Sequence, residues 1–172
     1  MGKPPLTPYA PDLEENAEPV AELADLVDAI ANDLDWANRQ ARGLHAQRVE
    51  VHRCRLTGSE LAEANLSDVI FANCRIDLVG LRMAKLERVV FRDCRMAECD
   101  LYEAALTDVL FDQCDLREAT FSGATLKRVE LRGCNLTALR GVEALRGARM
   151  PWNDVLENAP LFATALGLEI LD

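Results

Sequence analysis

From Val51 to Leu136 every fifth residue is apolar, and none of the eighteen positions in that series is polar. The series includes Leu56, Leu61, Leu66, Phe71, Ile76, Leu81, Leu86, Phe91, Met96 and Leu101. Two residues before each of these sits a smaller one, such as Val49, Cys54, Ser59, Ala64 and Val69. A period of five fits neither the 3.6 of an α-helix nor the 2.0 of a long strand. It fits a short extended piece followed by a corner. The small and large residues then point inward at i and i+2, as alternate residues of a strand do. The residues between and after them point outward or turn.

A second period is superimposed. Cys54, Cys74, Cys94, Cys114 and Cys134 recur every 20 residues, as do Val49, Val69, Val89, Val109 and Val129. Internal repeats of this length mark solenoids. Four pentapeptides make one coil with four faces, and residues 20 apart stack at about the 4.8 Å of neighbouring strands. The run predicts about 4.5 coils and a rod roughly 22 Å long at that spacing. Aromatics are only 5% of the chain, so Leu, Val and Ala must fill the interior.

Stretches such as Ala64-Asn65-Leu66-Ser67-Asp68, Cys114-Asp115-Leu116-Arg117-Glu118 and Cys134-Asn135-Leu136-Thr137-Ala138 match an A-(D/N)-L-x-x consensus. Over residues 49 to 138 the chain resembles the pentapeptide-repeat family. The resemblance implies an all-β solenoid, a right-handed quadrilateral β-helix. It constrains function weakly, because most members of that family have none assigned.

Both ends change character, as an open β-helix requires: unpaired strand edges invite aggregation, and repeat arrays need caps. Residues 1–18 read as a flexible acidic tail. Residues 19–43 read as an amphipathic helix that starts at Pro19 and stops at Gly43. Its apolar stripe is Val20, Leu23, Val27, Ile30, Leu34 and Ala37. The β-helix is expected over 44–150. Residues 151–172 read as a helical cap split by Pro160, followed by a short strand at Leu168–Leu171. This end is similar to the tails of the gyrase-inhibiting actinobacterial members, where a terminal helical module caps the rod and forms a two-fold dimer. Trp152, Leu156, Leu161 and Phe162 are the corresponding candidates for cap or dimer contacts.

The five aligned cysteines and Cys99 read as small buried hydrophobes with free thiols. His45 and His52 have no carboxylate or cysteine at ligand spacing, so no metal or other cofactor is expected. No nucleophile, phosphate-loop or dinucleotide motif is present, and a packed rod leaves no interior cleft, so no enzyme is expected. A net charge of −10 disfavours direct nucleic-acid binding. No apolar run is long enough to span a membrane. No secretion signal is evident at Met1–Leu13, so a cytoplasmic location is expected.

The chain is therefore expected to be a non-enzymatic interaction or scaffold module with a protein partner, able to pair with itself through its terminal helices. The family's best-studied members protect or inhibit DNA gyrase by mimicking a duplex, so the resemblance implies gyrase as an alternative partner. Most of the acidity lies outside the coils, since residues 1–50 carry −6 of the −10. Within the coils, Glu60, Glu63, Asp100 and Glu103 form the most acidic strip, offset mainly by Arg82. A second candidate surface is the outward apolar ladder Ile70, Val90 and Leu110, for which the N-terminal helix is the expected cover, with a partner protein or a second copy as the alternatives. A column of Asp68, Arg88, Asp108 and Arg128 alternates in sign and reads as structural pairing along the stack.

Overall fold

The computed structural model describes residues 6–12 and 20–171. Its core is a parallel β-solenoid of about five turns. The long strands are β1 (Leu26–Asn32), β2 (His45–His52), β3 (Asn65–Ala72), β4 (Lys85–Arg92) and β5 (Ala105–Asp112). Two short strands, β6 (Thr125–Lys127) and β7 (Glu130–Arg132), complete the sheet against β5. Each strand pairs with its successor in a register of 20: Val49 with Val69, Val69 with Val89, Val89 with Val109. The long strands cover two adjacent faces. The other two faces are held by single-residue bridges, Asp35–Arg55–Arg75–Arg95–Asp115–Asn135 and Gln40–Glu60–Gly80–Asp100–Thr120–Arg140.

The inward positions are the predicted ones. Val69, Val79, Val89, Ala104, Phe111, Leu116 and Leu136 are fully buried, and Leu56, Leu86 and Phe91 are 1% exposed. Phe71, Phe91 and Phe111 stack with centroids 5.1 and 5.2 Å apart and planes 6° from parallel. Phe121 meets Phe111 edge-on at 6.0 Å. Ser59 points inward too, donating to the Trp36 carbonyl at 2.7 Å and accepting from the Arg39 N–H at 3.0 Å. All six cysteines are buried and unpaired. The thiol of Cys74 meets the carbonyls of Val51 and Ala72 at 3.3 and 3.4 Å, so each ladder sulfur is a weak donor to its own coil and the previous one.

The corners explain the consensus. One residue per pentapeptide has positive φ, including Asn73 (56°), Asp93 (52°) and Gln113 (55°). Asp and Asn tolerate that region better than most residues. Elsewhere on the corner a side-chain oxygen accepts the N–H two residues on: Asp35 from Ala37, Asp100 from Tyr102, Asn135 from Thr137. The Asp/Asn of the repeat is therefore a local turn former.

The N-terminal helix expected over 19–43 is absent from the described residues of that span; Pro19 lies outside them. The chain instead forms a further coil, with β1 paired to β2 from Leu26–Ala46 to Asn32–His52. An eight-residue strand such as β2 leaves a row of unpaired N–H and C=O groups at the rod's end, and only another strand satisfies them. The two periods also bury different residues. A helical stripe would bury Val27, which is 52% exposed. The five-residue period buries Ala31 and Trp36, at 0% and 1%. Trp36 closes the N-terminal end, its indole N–H bonded to the Ala21 carbonyl at 3.1 Å. The solenoid thus begins near residue 26 and not at 44.

The expected tail 1–18 is also corrected where it is described. Residues 6–12 are tied to the rod by three hydrogen bonds. Residues 1–5 and 13–18 lie outside the described residues. At the other end the five-residue pattern breaks at Gly141, whose φ is +75° and where a Cβ would lie 2.2 Å from the Ser122 nitrogen, and the last backbone bridge to the stack is made by Arg149. Only glycine fits that position. A 3₁₀ helix (Val142–Leu145) leads to α1 (Trp152–Glu157) and α2 (Ala159–Ala165), with Pro160 in the first turn of α2. The strand expected at Leu168–Leu171 does not form. Arg149 already bridges Glu130 on the last coil, and alternation without an edge to pair with leaves a coil.

Candidate interaction surfaces

The acidic strip consists of two pairs and is not a continuous line. Glu60 and Glu63 sit two coils from Asp100 and Glu103, separated by Gly80 and Met83 of the intervening coil. Arg42 binds Glu63 at 2.5 Å and Arg82 binds Asp100 at 3.1 Å. The Glu60 carboxylate turns back to accept the Ala62 N–H at 3.0 Å. Arg82 also lies over the Tyr102 ring, 4.7 Å from its centroid. Half of the strip's charge is thereby paired within the rod. The Arg42–Glu63 contact holds the Glu63 carboxyl below the ordinary carboxylate range.

The outward ladder Ile70, Val90, Leu110 is continuous through β3, β4 and β5, as their register requires. Ile70 and Leu110 are half-buried and Val90 is 8% exposed. The ladder is not a bare patch, and the cover expected of it, an N-terminal helix, is absent among the described residues.

The neighbouring corner carries the column Asp28, Arg48, Asp68, Arg88, Asp108, Arg128. Each arginine grips the aspartate one coil before it in a two-pronged pair. Arg88 donates Nε to Asp68 Oδ1 at 2.6 Å and Nη2 to Oδ2 at 2.9 Å. Arg128 does the same to Asp108 at 2.6 and 2.5 Å, and Arg48 to Asp28 at 2.5 Å through both nitrogens. Asp68 and Asp108 are 3% and 2% exposed. Burial alone pushes the Asp68 carboxyl up, but the Arg88 guanidinium and a backbone N–H outweigh it and hold the group low. Asp108 is held low mainly by Arg128, and Asp28 falls to about 2 through its bonds to Arg48 and to the Asp12 N–H.

Those backbone N–H groups belong to the N-terminal segment, which sequence reasoning left as a loose tail. The N–H of Leu6 bonds Asp108 Oδ1 at 3.1 Å, that of Tyr9 bonds Asp68 Oδ1 at 3.1 Å, and that of Asp12 bonds Asp28 Oδ1 at 2.9 Å. The Tyr9 ring lies beside Arg88, 5.7 Å from its guanidinium carbon. The segment runs antiparallel to the stack. The available sequence signal was the proline spacing Pro5, Pro8, Pro11.

The four C-terminal candidates separate into two groups. Leu161 and Phe162 pack against the core and cap it. Trp152 and Leu156 face solvent, 71% and 54% exposed. They are joined by exposed Leu166, Leu168, Ile170 and Leu171. Leu166 also lines an open groove of about 610 Å³ with Val142, Glu143, Leu145, Arg146, Met150, Phe162 and Ala165.

His52 bonds Glu50 at 2.9 Å. Among the described residues no group of three or more His, Cys, Asp or Glu is placed to hold a metal, and no helix is long and apolar enough to cross a membrane.

A pentapeptide repeat region family model matches residues 44–109 and 85–140, more than half of the chain. No curated protein matches it. Among solved structures it is similar to Rfr23 from the cyanobacterium Cyanothece 51142, at 18% identity and TM-score 0.28, covering 59% of this chain and 63% of that one. It is similar to HetL from the cyanobacterium Nostoc sp. strain PCC 7120, a protein involved in heterocyst differentiation regulation, at 21% identity, TM-score 0.29 and coverages of 75% and 67%. It is also similar to full-length QnrB1, a plasmid-mediated fluoroquinolone resistance protein, at 15% identity, TM-score 0.34 and coverages of 87% and 98%.

Proposed function

Because this chain belongs to the pentapeptide repeat family, we propose that it is a non-enzymatic protein-interaction rod whose C-terminal end pairs two copies and leaves the four-sided shaft to bind a partner protein. The observation that carries this reading is the concentration of bare apolar side chains at one end. Trp152, Leu156, Leu166, Leu168, Ile170 and Leu171 are all more than half exposed, whereas the large exposed apolar residues of the coils, Val27, Leu78 and Met83, are scattered singly. Trp152 and Leu156, one turn apart on α1, share a face. Exposed apolar surface of this kind marks contact sites, and aromatic anchors dominate such contacts. The groove between the 3₁₀ helix and α2, lined by Val142, Met150, Phe162 and Leu166 with Glu143 and Arg146 among them, adds a recess at the same end. No catalytic family is indicated for the chain.

Sedimentation velocity tests the reading. The full chain should sediment as a concentration-dependent dimer, and Trp152→Glu with Leu156→Glu should return it to a monomer with an unchanged circular dichroism spectrum. A wild-type chain that stays monomeric at high concentration would sink self-pairing.

The alternative partner is DNA gyrase, engaged by duplex mimicry. The acidic pairs Glu60/Glu63 and Asp100/Glu103 favour it, and the internal neutralisation by Arg42 and Arg82 counts against it. A supercoiling assay decides: inhibition or protection that is lost on reversing those four charges supports mimicry, and no response at high protein concentration removes it.

A further inference from the structure

The corner column and the N-terminal segment meet with matched periods. Successive bonds advance three residues along the segment, Leu6 to Tyr9 to Asp12, and 40 residues along the rod, Asp108 to Asp68 to Asp28. Forty residues are two coils, about 9.6 Å at the spacing of paired strands. Three residues of a polyproline-type chain rise about 9.3 Å in one complete turn. The two repeats therefore stay in step over the whole contact. The acceptor is the same atom each time, Oδ1, already oriented by an arginine Nε of the next coil.

The sequence of the segment fits this frame. It reads as triplets, Pro5-Leu6-Thr7, Pro8-Tyr9-Ala10 and Pro11-Asp12. Each proline precedes a donor and has no N–H of its own to leave unsatisfied. Proline also holds the free chain extended, which lowers the ordering cost of docking. The contact uses backbone donors, so it reads spacing more than side-chain identity. The arginines in the alternate coils supply one ring contact, to Tyr9.

We propose that the Asp28–Asp68–Asp108 column is a binding site for extended proline-rich peptide with a three-residue repeat, and that residues 6–12 are its resident ligand, held in cis. A proline-rich segment of another protein docks on the same rungs when the resident strap is released. The site is separate from the C-terminal apolar end, and its test does not depend on self-pairing.

Residue-resolved amide exchange on the full chain provides the first arm. Leu6, Tyr9 and Asp12 should exchange at least about tenfold more slowly than Thr7 and Ala10, the factor expected for one hydrogen bond to a charged acceptor. Equal rates at all five would overturn the proposal. The second arm uses a fluorescent peptide with the sequence of residues 3–12. Full-length Leu6→Pro/Tyr9→Pro/Asp12→Pro keeps the strap extended and removes its three donors. It should bind the peptide saturably, at least about tenfold more tightly than the wild-type chain, whose tethered strap competes at an effective concentration near millimolar. A peptide carrying Tyr9→Pro should lose most of that binding, and one carrying Ala10→Pro should keep it. No saturable binding to the triple variant, or equal binding of both proline-substituted peptides, overturns the assignment.

Discussion

Replacing Phe91 by alanine should remove a large part of the rod's stability. Phe91 is 1% exposed and lies between Phe71 and Phe111 at 5.1 and 5.2 Å, almost parallel to both. A buried Phe→Ala change costs about 3–5 kcal/mol, because neighbours only partly close the cavity. Two aromatic contacts are lost as well, each contributing about 0.5–1.5 kcal/mol beyond area. The stack is fixed by the 20-residue register, so the coils above and below cannot collapse inward without breaking their own pairing. The expected loss is therefore near the upper end, about 5 kcal/mol. With a urea slope of about 2 kcal/mol/M for a domain of this size, the midpoint should fall by about 2.5 M at unchanged slope. Phe91→Leu places the residue that Leu131 already supplies in the same column, and should recover more than half of the loss. Urea unfolding followed by circular dichroism is the assay. A midpoint shift under about 0.5 M for Phe91→Ala, with the slope unchanged, would refute the reasoning that the ring column is close-packed.

Arg88→Met strands the Asp68 carboxylate, 3% exposed, with only the Tyr9 N–H; it should cost about 3 kcal/mol in chemical denaturation, whereas Asp68→Leu/Arg88→Met should recover most of that. Asp28, Asp68 and Asp108 hold their protons less tightly folded than unfolded, so their pairs stabilise fully above the ordinary value of 3.8 and lose that contribution as pH falls through their lowered folded-state values, about 2 for Asp28. Stability measured against pH should fall through this window, and less steeply in Arg88→Met. All six thiols are buried, and burial pushes that of Cys99 up to about 12, so a thiol reagent should find six groups only after unfolding; rapid labelling of the native chain would contradict the packing role. Leu78 sits at φ +60° and is 54% exposed, so Leu78→Asn should raise the melting temperature by a few degrees through relief of about 1 kcal/mol of strain; a fall would show that its packing outweighs that strain.

The shaft was legible because one architecture satisfies a strict period of five with a superimposed period of 20. The cysteine column, the inward Ser59 and the Asp/Arg alternation followed from that frame. The first coil was misread because Leu23, Val27, Ile30 and Leu34 also lie on a helical stripe. The better signal was at the corners: Asp28, Asp33, Asn38 and Gly43 recur every five residues at positive φ, and all four are residue types that tolerate it. Helix propensity says nothing about the open edge of β2, which decided the outcome. The strap was hidden for a different reason. Its partners lie 16, 59 and 102 residues away, and the match between proline triplets and alternate coils emerges only once the rise per coil is known. At the C-terminus Pro160 marked the break between α1 and α2, but alternation at Leu168–Leu171 could not reveal that the last coil's edge was already taken.

Small-angle scattering on the full chain, set beside its Trp152→Glu/Leu156→Glu variant, tests the interaction-rod account most directly. Two rods joined through their C-terminal ends should give a particle of twice the mass and about twice the maximum dimension of the variant, with both shafts exposed. A single-rod mass at every concentration, or a dimer scarcely longer than one rod, would contradict it.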